Sequence, residues 1–260
     1  APLWLGTAYT AKINQAISGL SNARKSASSA ASSQADTVGT SKRVPTVKKA
    51  DDTIAAATPA GLRESEINQC LANEIVTWND GGKDTKMLSP SMVYVYEHQG
   101  APAGVSEDAV FSVLQQAASA WDQCGGQNTV MLKRDLFDAK NIFKIAVQWN
   151  DDDKLGTIGL ANITKKTLTL SPEAFANLKK ANASRNLMET LQMVVSHEVG
   201  HFQGLTSHSR RCVDVLSYYS NDAGEKCFIR DNGVMPKNFE YRSLLPTACD
   251  IQRCRMSNTN

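Results

Sequence analysis

Apolar positions divide the chain into a weakly patterned beginning and a strongly patterned remainder. From Ser106 to Cys124, residues Val110, Leu114, Ala117, Ala118 and Trp121 recur at helical spacing. Ser106 stands where an N-cap belongs, Glu107 and Asp108 fall in the first turn, and Gly125-Gly126 end the stretch. Met92 to Tyr96 is a short β-rich run between Pro90 and the Gly100-Ala101-Pro102 turn. Thr129 to Lys133, Ile142 to Trp149 and Gly156 to Ala161 predict three more strands, and Thr167 to Leu170 another after a turn. Within the second of these, Phe143, Ile145 and Val147 alternate with Lys144, Ala146 and Gln148, as a half-buried strand requires. A helix is expected to open Glu64 to Trp78, with Cys70 inside it.

Asn186 to Leu205 predicts the central helix. Leu187, Leu191, Val194, Val195, Val199 and Phe202 fill one arc, with Glu198 at its edge, and His197 and His201 occupy the adjoining arc. So little polar surface remains that this helix should be almost wholly buried. Two histidines four apart share a helical face and can reach one ion. The glutamate beside the first projects next to that face, the H-E-x-x-H arrangement of a zinc site with a general base. Gly204 then lets the chain leave the helix, and His208 follows as the third candidate ligand, with Asp214 as the alternative. Three nitrogens with a fourth position open is the arrangement of a catalytic zinc.

At these residues the chain resembles the metzincins, zinc endopeptidases with the signature H-E-x-x-H-x-x-G-x-x-H. The family's third histidine would fall on Ser207, and here His208 comes one place later. The likeness runs loosely from about Gly61 to the end, and only the zinc motif is specific. It implies an α+β fold: a twisted mixed sheet packed on two long helices, with a zinc cleft above a loop-rich C-terminal subdomain. Residues 61–260 would form the catalytic domain, the upper part about 61–204 and the lower about 205–260. His197, His201 and His208 would hold Zn²⁺, Glu198 would be the general base, and Tyr218 would match the family tyrosine that donates to the oxyanion. Leu216 would replace the methionine of the turn beneath the metal, with Asn232 to Pro236 as a rival segment. Leu245 to Gln252 would begin the C-terminal helix. The activity implied is a secreted endopeptidase acting on polypeptide, with strand Gly156 to Ala161 pairing with the substrate around Gly159. The alternative is a secreted binding protein that keeps a zinc-stabilised metzincin scaffold without turnover. A zymogen is a third form, with Cys70 capping the metal, although the P-R-C-G segment of matrixins is absent.

Residues 1–60 read as a low-complexity extension or pro-segment. Ile13, Ile17 and Leu20 could make a short amphipathic helix, but Ser21 to Ala60 is rich in Ala, Ser, Thr and Lys and lacks aromatics. Arg24-Lys25, Lys42-Arg43 and Lys48-Lys49 offer an activating protease dibasic sites. A net charge of +2 argues against nucleic-acid binding, and no apolar run is long enough to span a membrane. The chain begins at Ala1 without a basic n-region, so any signal peptide is expected to be gone already. Six cysteines without a C-x-x-C pair suggest disulfides and an extracellular or periplasmic setting. Cys212 with Cys227, and Cys70 with Cys124, are the expected pairs. Asn150 to Asp153 could ligate calcium or be a solvated turn, and His98 reads as an exposed loop residue.

Overall fold

Five strands carry the fold: β1 (Ser91–Tyr96), β2 (Gln127–Leu132), β3 (Lys144–Trp149), β4 (Gly159–Asn162) and β5 (Thr167–Leu170). The computed structural model describes residues 59–136, 142–151, 157–181, 186–235 and 240–259. Almost all of the N-terminal extension, with its three dibasic pairs and amphipathic stretch, lies outside those residues. So do Asp152, Asp153 and Gly156. The strands form one sheet in the order β2-β1-β3-β5-β4, parallel throughout except for β4, which lies antiparallel to β5 at one edge. In β3, Ile145 and Val147 are buried while Ala146 between them is exposed, which is the expected alternation.

The helices are α1 (Pro59–Asn68), α2 (Glu107–Trp121), α3 (Pro172–Ala181), α4 (Leu187–Phe202) and α5 (Ala248–Thr259). Ser106 caps α2 by accepting from the Ala109 amide, and Asn186 caps α4 through the Glu189 amide. Helices α2 and α4 pack on each other, and α4 also packs on β4. The contact between α2 and α4 is close because Gly200 has no side chain: a Cβ there would lie 2.7 Å from Cζ2 of Trp121. The Trp121 indole donates to the Ser196 carbonyl at 2.8 Å, and Gln192 bonds the Val113 carbonyl at 3.2 Å. Every residue of α4 from Thr190 to Phe202 is buried. No helix among the described residues is long and apolar enough to cross a membrane.

Several expectations need correction. Helix α1 ends at Asn68, so Cys70 lies beyond it. The Asn68 amide group bonds the Glu64 carbonyl, and past that point Arg230 takes the Gln69 carbonyl and both Glu74 oxygens. Helix α3 was not anticipated, although Ala174, Phe175 and Leu178 bury one of its faces. Its start is capped by Ser171, which accepts from the Ala174 amide and donates to Asp151 at 2.5 Å. Asp151, the one described acid of the Asn150–Asp153 stretch, thus serves a helix start. His98 is half-buried, its Nδ1 2.6 Å from the Tyr96 hydroxyl.

The disulfides are Cys70–Cys249, Cys124–Cys254 and Cys212–Cys227. The pairing of Cys70 with Cys124 is therefore overturned. Cys249 and Cys254 both ride on α5, five residues and ~7.5 Å of rise apart. Each meets a different partner, so α5 is stapled to the segment after α1 and to the single 3-10 turn, Asp122–Cys124, that follows α2. A Cys70 bonded to Cys249 is not a thiol able to cap the imidazoles.

Candidate metal centre

His197 and His201 project from the last two turns of α4, where the buried helix fixes their backbones. Gly204 (φ +95°) then turns the chain sharply and Leu205 to Ser207 carry it back, so that His208 faces the same point. The three rings converge: the centroids of His197 and His208 are 5.0 Å apart, and each lies 5.1 Å from that of His201. The extra residue between Gly204 and the third histidine is absorbed in this turn.

The hydrogen bonds of the rings fix their tautomers. Nδ1 of His197 faces the Val215 carbonyl at 2.8 Å, Nδ1 of His201 the Leu205 carbonyl at 2.7 Å, and Nδ1 of His208 the Asp80 carboxylate at 2.7 Å. Carbonyls and carboxylates only accept, so each Nδ1 carries the hydrogen and each Nε2 presents a lone pair. Nε2 of His197 and Nε2 of His208 lie 3.2 Å apart. Two lone pairs at that distance repel unless a cation lies between them. Burial holds all three imidazoles below their ordinary value, His197 well below and His201 down to about 3, so they are neutral at physiological pH. Three converging neutral imidazoles are a site able to hold a metal ion.

Glu198 lies beside this point on the β4 side. Its Oε2 accepts from the Ala161 amide at 2.8 Å. The approach depends on Gly159, where a Cβ would meet Val194 Cγ1 at 2.5 Å and Glu198 Cγ at 3.0 Å. Burial raises the Glu198 carboxyl to about 7, partly offset by the Ala161 hydrogen bond. A proton-accepting group is thus poised near neutrality, and a cation close by would favour its ionised form. A pocket adjoins, with Ile158, Gly159, Met193 and Val194 as its apolar wall and Thr157, His197, Glu198 and Arg242 as its polar groups.

Tyr218 stacks on His208, ring centroids 3.7 Å apart. Leu216 is buried beneath α4, where a Cβ on Gly200 would lie 3.1 Å from its Cδ1, so it supports the helix segment between the two histidines. The rival segment does not take this place: Val234 is 89% exposed, Met235 packs in a separate cluster with Cys212 and Tyr241, and Pro236 is outside the described residues. Asp214 also stands apart from the cluster. It binds Arg211 at 2.7 Å and accepts from Ser209 and Thr247, both at 2.6 Å.

Sequence reasoning missed Asp80, Arg242 and Asp250. Asp250 Oδ2 accepts from the amides of Val215 (3.0 Å) and Thr247 (2.9 Å), so it holds the turn whose Val215 carbonyl orients His197. Burial, with the charge of Asp214 added, pushes its carboxyl from 3.8 to about 7. The folded state therefore binds this proton more tightly than the unfolded chain does. The resulting stabilisation is full below the unfolded value and is lost as pH rises through about 7. Asp250→Asn keeps the acceptor oxygen and removes the titration. Between pH 5 and pH 8 the wild type should lose up to ~3 kcal/mol more stability than the variant, measured by urea unfolding. Equal losses would contradict the assignment.

Neither a family model nor a curated relative matches the sequence. Among solved structures the chain is similar to one titled "GM1 bound form of the ECX AB5 holotoxin". The identity is 12% and the TM-score 0.40, and the match covers 68% of this chain and 87% of that one. At that score and identity the likeness establishes neither family nor function.

Proposed function

We propose that the chain is a secreted zinc-dependent endopeptidase of metzincin type. The observation that carries this reading is the convergence of three Nε2 lone pairs, their Nδ1 atoms all engaged, beside the buried Glu198 carboxyl. Zinc suits the donor set: Zn–N bonds of ~2.0–2.1 Å at tetrahedral angles put two nitrogens ~3.3 Å apart, against 3.2 Å between Nε2 of His197 and His208. With three protein ligands a fourth position stays open, as in catalytic zinc. When bound, the ion would acidify a water and polarise the scissile carbonyl.

The chain's own groups supply the rest. Glu198, held by the Ala161 amide, accepts the proton of the attacking water and returns it to the leaving amine. Tyr218, stacked on His208, is the candidate donor to the developing oxyanion. Strand β4 is a sheet edge beside the imidazoles, and an extended peptide can pair with it whatever its side chains. Three disulfides, with no free cysteine among the described residues, fit export to an oxidising compartment.

The test is a digest of a proteome-derived peptide library by the zinc-loaded protein. The expected result is internal cleavage that a chelator stops and added zinc restores. Stoichiometric zinc without any cleavage would favour the zinc-stabilised binding protein.

A further inference from the structure

His197 and His201 rest on backbone carbonyls, whereas His208 rests on a charged side chain from a segment 128 residues earlier. That side chain makes three bonds to two residues. Asp80 Oδ2 takes the His208 Nδ1–H at 2.7 Å, and Oδ1 takes the amides of His208 at 2.9 Å and Gly81 at 3.1 Å. One carboxylate thus fixes both the backbone and the ring of the third imidazole.

The flanking residues run alongside the turn from Gly204 to His208 and bond it step by step. The Thr85 amide donates to the Gly204 carbonyl at 2.9 Å. The Thr206 amide donates to Asp84 at 3.1 Å, and the Thr206 hydroxyl to the Lys83 carbonyl at 3.1 Å. The Ser207 hydroxyl donates to the Gly82 carbonyl at 2.6 Å, and the Trp78 amide to the His208 carbonyl at 3.0 Å. Gly81 makes the approach possible, since a Cβ there would lie 1.8 Å from the Thr206 carbonyl oxygen. Arg253 of α5 locks the far side, binding Asp84 at 2.5 and 2.6 Å and the Ser207 carbonyl at 2.7 Å. Near α4 the Gly204 and Leu205 amides bond back to the His201 and Gly200 carbonyls, whereas from Thr206 to His208 the strap 78–85 supplies most of the bonds, with Arg253 adding one.

We propose that Asp80 is the positioning residue of the third metal ligand, and that the strap 78–85 sets His208 at its displaced spacing. This rests on the zinc reading of the imidazole cluster. A carboxylate behind an imidazole fixes its tautomer and strengthens it as a donor to metal, and losing such a partner typically weakens metal binding ~10–100-fold. Asp80 also forms the turn Asn79 to Gly82, so a purely structural role must be separated from a positioning one.

The experiment measures zinc affinity of the metal-free protein by competition with a chromophoric chelator, for wild type, Asp80→Ala and Asp80→Asn. Urea unfolding of each metal-free protein and the visible spectrum of each cobalt-substituted protein accompany it. Asp80→Asn keeps the size and the acceptor for the backbone amides but presents a donor or a weaker acceptor to the ring. The expected result is a ~10–100-fold weaker zinc affinity in both variants, with an altered cobalt spectrum. The metal-free unfolding curve of Asp80→Asn should stay close to wild type. Affinity within twofold of wild type, with an unchanged spectrum, overturns the positioning role and leaves the zinc reading intact. Failure of the wild type itself to take up metal overturns both.

Discussion

Glu198→Gln should keep its metal and lose its cleavage. The amide oxygen of glutamine can still accept from the Ala161 N–H that holds Glu198 at 2.8 Å, and its volume fits the gap left by Gly159. What it cannot do is take a proton from water. General acid–base catalysis contributes ~10²–10⁴ in rate, so kcat should fall by that factor, a barrier increase of ~3–5 kcal/mol. KM and zinc content should stay near wild type. A kinetic assay with a fluorogenic peptide, paired with metal analysis of the same preparation, reads both quantities. Undiminished turnover would remove the general-base role from Glu198 while leaving the metal site standing.

Gly204→Ala should strongly destabilise the turn that carries His208. Its φ of +95° is strained for any L side chain, and a Cβ would lie 2.1 Å from the Thr85 carbonyl oxygen and 2.9 Å from Lys86. Both obstacles are backbone, so relief requires moving the strap or the turn. Left-handed strain of ~1–2 kcal/mol and overpacking of ~1–3 kcal/mol give a loss of about 3 kcal/mol. For a domain of this size that lowers Tm by roughly 10 °C. Because His201 bonds the Leu205 carbonyl and His208 ends the turn, metal affinity should fall with stability. A calorimetric scan that finds Tm unchanged would contradict this account of the turn.

The elements that stood out in the sequence are those whose patterning is local. Helix α4 was readable because its apolar arc and histidine arc repeat at one period, and the Asn186 cap lies where the pattern starts. Helix α2 was equally plain from Ser106 onward. The Cys212–Cys227 bridge closes a short loop, with only 15 residues of separation. The other two bridges span 179 and 130 residues, and no local pattern encodes which face of α5 each cysteine occupies. Helix α3 drew no expectation from the sequence, although Pro172 at its start and Lys179 and Lys180 near its end are helix signals.

Within the centre, His197, Glu198 and His201 were visible because a helix imposes their geometry. His208 was expected to reach the same point despite its displaced position, and its Nε2 lies 3.2 Å from that of His197. Asp80 could not be seen. Asn79-Asp80-Gly81-Gly82 reads as a turn, and it is one, with Asn79 and Gly82 both at positive φ. Only the tertiary structure brings that turn against Ser207 and His208. Asp250 is similar: it stands in the first turn of α5, and only the tertiary structure brings the Val215 amide onto the Oδ2 that also accepts from Thr247.

The central claim is that one cation binds Nε2 of His197, His201 and His208. Anomalous diffraction above and below the zinc edge, on crystals of the zinc-loaded protein, tests it directly. The account predicts a single strong peak ~2.0–2.1 Å from each of the three Nε2 atoms, with Asp80 still bonded to Nδ1 of His208. A peak elsewhere, or His208 turned away from a metal held by the other two, would contradict it.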